Sequence, residues 1–209
     1  MEKHEWRKSE KQFYLPKTKP EIIDVPAFKF ITISGQGSPE NQSFSDRIST
    51  LYPIAYAIKM TLKKLSDKPG NYLDYTVYPL EGIWDLNDEA KNNFDGTINK
   101  EDFVYKLMIR QPDFISEAFF LEMVELSKKK NPSELYDKVK FESITDGKCV
   151  QMLHIGSFDN EPTSFKIMEE FTIENNLARK SKVHREIYLS DFRKVPTEKL
   201  KTLLRFRVS

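Results

Sequence analysis

A chain of 209 residues with 39% hydrophobic and 31% charged side chains is globular in composition and long enough to bury a core. Lysine and arginine number 33 against 32 acids, so the charge balance asks for no polyanion, and direct nucleic-acid binding is not expected. The lone Cys149 cannot close an internal disulfide, and no apolar run approaches the ~20 residues that span a bilayer. Cytoplasm is the expected compartment, with no membrane role.

Residues 1–20 read as a charged N-terminal arm with a short helix ended by Pro16 and Pro20. They lack the apolar core of a signal peptide. Glu21 to Gly37 alternates and is β-branched, which predicts two strands around Pro26. From Asp46 to Leu65, apolar residues at Ile48, Leu51, Tyr52, Ala55, Ile58 and Leu62 have helical spacing, with Pro53 in the first turn or at a kink. Strands follow over Tyr72–Trp84 and Phe103–Gln111. Ser116 to Lys130 predicts a helix with Ser116 as N-cap and a run of lysines at its C-terminus.

The order then repeats. Val139–Ile144 and Lys148–Ile155 read as strands joined by an Asp146-Gly147 hairpin turn. A helix over Thr163–Asn176 carries Phe171, and strands follow over Glu186–Ser190 and Leu200–Val208. The expected fold is therefore α+β, a β-β-α-β-β unit used twice. Repeat one spans about 21–111, repeat two about 139–208, and a helix over 116–130 links them. A groove between such repeats is the natural ligand cleft.

Aromatic residues make up 12% of the chain, enough for an aromatic-lined cavity as well as a core. In the Glu186 strand, period two puts Glu186 and Tyr188 on one face with His184, and Ile187 on the other. With Ile187 packed inward against helices, Glu186 and Tyr188 face either solvent or a pocket. Trp84, Tyr78, Tyr52, Met108, Met152, His154 and Phe171 are the candidate ligand contacts, although these residue types fill cores equally well. The three histidines have no metal-ligand spacing, Gly35-Gln36-Gly37 lacks a phosphate-loop lysine, and Cys149 sits mid-strand. No cofactor is expected.

Several segments together resemble one family. They are Lys19–Pro26, Pro79-Leu80-Glu81-Gly82-Ile83-Trp84, Lys106–Pro112, Gln151–Gly156, Glu186-Ile187-Tyr188-Leu189-Ser190-Asp191 and Lys201–Arg205. In order and spacing they resemble the GyrI-like small-molecule-binding proteins, in the standalone branch, from about Glu5 to Val208. The resemblance implies duplicated SHS2 modules with the ligand cleft between them. Relatives include drug-sensing domains of transcription regulators, in which a buried glutamate among aromatics receives flat cations, and gyrase-inhibitory proteins. Some standalone members are hydrolases that open the cyclopropane of DNA-alkylating natural products. Carried over, the family's strand glutamate is Glu186 with Tyr188 beside it, and its tryptophan is Trp84. The chain departs from the pattern at Arg185, where a second histidine is expected, at Phe192 and Arg207, where prolines are expected, and at Ser34, where an acid is expected.

The resemblance thus implies a detoxifying hydrolase with Glu186 as general base, Tyr188 or Tyr78 as oxyanion donor and an aromatic or cationic small molecule as partner. The rival expectations are a protein that binds, sequesters or senses such molecules without reaction, and a module that contacts gyrase. With no helix-turn-helix region ahead of the domain, a transcription regulator is not expected.

Overall fold

Alternation and β-branching carry the chain through Pro26 without a break. In the computed structural model, which describes residues 3–209, β1 is a single strand, Glu21–Gln36. Pro26 lies on an exposed stretch of β1, where no missing N–H is felt. Before β1, the expected arm forms two four-residue helices, α1 (Trp6–Ser9) and α2 (Lys11–Tyr14); its residues 1 and 2 lie outside the described residues. After β1 come α3 (Gln42–Lys64), β2 (Leu80–Leu86), α4 (Asp88–Asn92), β3 (Phe103–Gln111) and α5 (Glu117–Lys130). The second half holds β4 (Lys140–Ile155), α6 (Glu161–Glu174), β5 (His184–Tyr188) and β6 (Lys201–Arg207).

The expected strand break at Pro26 and the expected hairpin at Asp146-Gly147 are therefore absent, and the order is strand–helix–strand–helix–strand in the first half and strand–helix–strand–strand in the second, rather than β-β-α-β-β twice. Asp146-Gly147 makes no turn. Gly147 takes φ +68° inside β4, a conformation that strand bulges use as well as turns. The segment before Leu80 is likewise not strand and carries one isolated bridge, at Tyr75.

The fold is mixed α/β and its paired strands run antiparallel, β1 with β3, and β2, β5, β6 and β4 in that order. The chain divides into two compact units that interleave along the sequence. Unit 1 comprises residues 3–5, Phe28–Tyr78 and Asp85–Ile144. In it β1 and β3 pair from Lys29↔Gln111 to Gln36↔Val104, and α3 lies against β3 and α5. The α3 stripe Ile48, Leu51, Ala55, Ile58 and Leu62 is buried, while Pro53 sits mid-helix on the exposed side. Ser116 caps α5 by accepting from the Phe119 N–H at 3.2 Å.

Unit 2 comprises Trp6–Ala27, Pro79–Trp84 and Thr145–Ser209. Its sheet runs β2-β5-β6-β4, and on one face Val150, Met152, Leu204, Phe206 and Val208 form a core with Met168 of α6. No helix among the described residues is long and apolar enough to cross a membrane.

Candidate functional site

The site grows from the period of β5. His184, Glu186 and Tyr188 point to one face, Arg185 and Ile187 to the other. The register sets Gly82 of β2 opposite Glu186 and Trp84 opposite His184, so these side chains meet in adjacent rows of unit 2. The α6 helix covers this same face. Phe165 of α6 lies edge-on to His184, centroids 4.7 Å apart, and Glu161 of α6 lies close to Glu186. Ile187 pairs with Leu203 on the opposite face and is also buried, because this strand is covered on both sides.

Glu186 is only 8% exposed. A buried carboxylate needs donors, and it has them. The Tyr188 hydroxyl donates to Oε2 at 2.8 Å and is itself held by the Trp84 indole N–H at 2.9 Å. His184 Nε2 stands 3.2 Å from Oε1, and its Nδ1 stands 3.2 Å from the Lys182 carbonyl. Both ring nitrogens thus face oxygen acceptors.

Glu161, the first residue of α6, completes the cluster. Burial, then the charge of Glu186 and the hydrogen bond to it, push its carboxyl well above the ordinary range, so it is the protonated partner of the pair. Burial and the same Glu186 charge also push the Tyr188 phenol up, keeping it a donor.

Gly82 makes the relay possible. The Trp84 indole folds over it, so that a Cβ there would stand 2.6 Å from Nε1 and 3.1 Å from the Tyr188 hydroxyl. Gly82→Ala is therefore expected to push the indole off Tyr188 and cost about 1–3 kcal/mol of stability. Thermal denaturation, together with the change in tryptophan fluorescence, checks this.

Next to the relay, Phe158 meets Tyr188 edge-on at 6.0 Å and Phe192 meets Phe158 at 6.5 Å. They are 37% and 41% exposed, an aromatic rim beside a buried acid.

Of the sequence candidates, the structure brings Glu186, Tyr188 and Trp84 together. Met152 is buried in the unit 2 core and Phe171 is packed against it. His154 is a buried brace. Its Nε2 donates to the Ser157 carbonyl at 2.9 Å and its Nδ1 accepts from the Ser164 hydroxyl at 2.8 Å, leaving neither nitrogen for a ligand. Tyr78, Met108 and Tyr52 belong to unit 1. Tyr78 is buried beside Arg110 and near His4, Met108 is wholly buried in β3, and Tyr52 stacks on Tyr56 of α3.

Glu161, Gly82, Phe158 and Phe192 were not anticipated. Only His184 carried a legible signal, the parity it shares with Glu186. Among the described residues no group of three or more His, Cys, Asp or Glu could hold a metal ion. A separate open depression of about 560 Å³ runs along α5, lined by Ala118, Leu121 and Met123, with no buried ionisable group.

The chain is similar over its whole length to solved structures from Listeria innocua. One, an uncharacterized conserved protein, is 37% identical with a TM-score of 0.88, covering 99% of this chain and 100% of that one. Another, described as a hydrolase, is 35% identical with a TM-score of 0.86 at the same coverage. The C-terminal domain of EcmrR, 13% identical with a TM-score of 0.53, covers 91% of this chain and 97% of that one and shares the fold. Among curated proteins nothing matches. With the GyrI-like small molecule binding domain matching residues 18–209, the chain belongs to that family.

Proposed function

We propose that unit 2 binds a flat aromatic electrophile beside Tyr188, Phe158 and Phe192 and hydrolyses its cyclopropane ring, a detoxifying reaction. The observation that carries this reading is the Trp84–Tyr188–Glu186 relay, which fixes one carboxylate among aromatic rings. The similarity to Listeria innocua structures described as hydrolases, at 35% and 36% identity, supports it. Apart from the short α4 of the first half, both halves run strand–helix–strand–strand, which fits a duplicated module.

In a cyclopropane fused to a dienone, water adds at the ring methylene, the adjacent ring C–C bond breaks, and its electron pair moves to the dienone oxygen. Glu186 takes the proton from water. Tyr188, no longer needed by a protonated Glu186, donates to the new oxyanion, and Glu186 then returns its proton to give the phenol. The net change is addition of one water. Positioned acid–base help of this kind is worth roughly 10²- to 10⁴-fold.

Incubating the full chain with a spirocyclopropyl-cyclohexadienone tests the proposal. The dienone absorbance is expected to decay at least ~10²-fold faster than in buffer, with a product heavier by one water. Bound but unchanged dienone would reduce the activity to binding. One feature favours that second reading: both Glu186 oxygens already have partners, as a fixed counter-charge would.

A further inference from the structure

The two ends of α3 in unit 1 carry surfaces of opposite charge. Toward its C-terminus Tyr56, Met60 and Lys64 recur four residues apart and share one outward face, with Lys63 beside it. Tyr56 is 52% and Met60 46% exposed, and Leu65 and Leu73 are exposed nearby. Leu73 precedes Asp74, which lies 4.0 Å from Lys63. After Asp46 the helix has no acid, so positive charge gathers here. Burial and the charges of Lys3 and Lys63 pull Lys59 below the ordinary lysine value, against the opposing pull of Asp74.

The N-terminal end is acidic. Asn41, which precedes α3, donates to Glu101 at 3.0 Å, and Lys100 pairs with Glu40 at 2.9 Å. These contacts set the β2–β3 connection against this end of the helix. From Asp85 to Asp102 the connection has six acids and two lysines. Every residue from 91 to 100 is exposed, including Phe94 at 54% and Ile98 at 53%. Single exposed apolar residues are ordinary, but here large ones accompany acids at one end of α3 and lysines at the other.

The two surfaces match in charge and in apolar content, yet one chain cannot bring them together. A 23-residue helix is about 34 Å long, and the surfaces sit at its opposite ends. Only another copy of the chain can offer each surface the complement that this one carries. We propose that unit 1 self-associates head to tail, the Asp88–Ile98 segment of one copy docking on the Tyr56–Lys64 face of α3 in a second. Phe94 and Ile98 pack on Tyr56 and Met60, residue types favoured at interface centres. Asp88, Glu89 and Asp95 face Lys63 and Lys64, which fixes register and speeds encounter. Because the two surfaces differ, the contact is heterologous and copies add in one direction unless a ring closes. The proposal is independent of the chemistry of unit 2.

Sedimentation velocity of the full chain tests it. In about 0.01 M salt the weight-average mass is expected to rise from the 24.6 kDa of one chain to about twice that or more as the protein approaches about 1 mM. In about 1 M salt, where charges are screened within ~3 Å, it is expected to fall back toward one chain. Two charge-reversed variants make the decisive pair, Lys63→Glu with Lys64→Glu, and Asp88→Lys with Glu89→Lys. Each alone sets like charges across the contact and is expected to weaken association roughly tenfold or more. An equal mixture is expected to associate again, because the unaltered surface of each variant finds its complement on the other. Phe94→Ser with Ile98→Ser, placed on a loop outside the core, is expected to weaken association with every charge still present.

A single-chain mass at every concentration in low salt overturns the inference. So does a charge reversal without effect, or a mixture that stays monomeric. Wild-type protein that stays monomeric yet co-sediments with vesicles of phosphatidylserine and phosphatidylcholine gives the α3 face to a membrane and overturns it equally.

Discussion

Asp146→Ala is expected to destabilise unit 2 by about 3–5 kcal/mol, the size of effect seen when one member of a buried ion network is removed. Asp146 is buried under three arginines. Its Oδ1 accepts from Arg185 at 3.0 Å and Arg207 at 3.2 Å, and its Oδ2 lies 2.8 Å from Arg185 Nε and 4.0 Å from Arg205. Arg185 has a second acid, Glu81, at 2.6 Å. Arg205 has only neutral oxygens besides, those of Gln151 at 2.7 Å and the Phe13 carbonyl at 2.8 Å. Without Asp146 two buried guanidiniums face each other across one acid. Burial and the Arg185 charge already pull Arg205 below the usual arginine value.

The pH dependence has a definite sign. Burial works to raise the Asp146 carboxyl, but Arg185 and Arg205 outweigh it and hold it below the ordinary range. Its contribution is present above the ordinary carboxylate value and is lost as pH falls through the depressed one. Glu161 has the opposite sign. Its carboxyl is raised, so its share of stability is full below the ordinary value and is lost as pH rises through the raised one. Denaturant midpoints measured across pH should show the acid-side loss disappear in Asp146→Ala. An unchanged midpoint would mean the network contributes nothing net.

The network and the site are two faces of one five-residue strand. Arg185 and Ile187 tie β5 to Glu81, Asp146 and Leu203 on one side, while His184, Glu186 and Tyr188 stand on the other. The α1–α2 segment is bound into the same fabric. Arg7 donates to the Leu189 carbonyl at 3.0 Å, directly after Tyr188, and Arg205 reaches the Phe13 carbonyl. A carboxylate fixed by this much surrounding structure is preorganised, which is what positioned catalysis or selective binding requires.

Much of this was readable from residue order. The alternation in His184–Tyr188 put Glu186 with Tyr188 and His184, and the Gly82-Ile83-Trp84 segment carried the tryptophan that joins them. What alternation cannot supply is which face a helix covers when both faces are buried, and so it left Glu186 and Tyr188 between solvent and a pocket. Pro26 and Asp146-Gly147 are strong break signals, yet β1 and β4 run through them, because an exposed proline and a left-handed glycine are both tolerated inside a strand. Glu161 was not legible. An acid at Asn160-Glu161-Pro162 reads as an ordinary dipole-favoured helix start, and only the fold lays it on Glu186. Phe158 and Phe192 are separated from Tyr188 by loops whose path no local pattern specifies.

Glu186→Gln is expected to lower the proposed hydrolysis roughly 10²- to 10⁴-fold while leaving ligand affinity within about threefold. Glutamine keeps the length and shape of the side chain, and its amide oxygen still accepts from Tyr188, so the Trp84–Tyr188 bond and the aromatic rim have no reason to move. It cannot take a proton from water. Loss of the carboxylate also removes the charge that helps hold the Glu161 proton, so Glu161 should ionise at lower pH in this variant. Single-turnover kinetics with the spirocyclopropyl dienone, paired with equilibrium binding of the same compound, separate the two effects. A selective loss of rate identifies Glu186 as the base, and an unchanged rate removes it from the reaction.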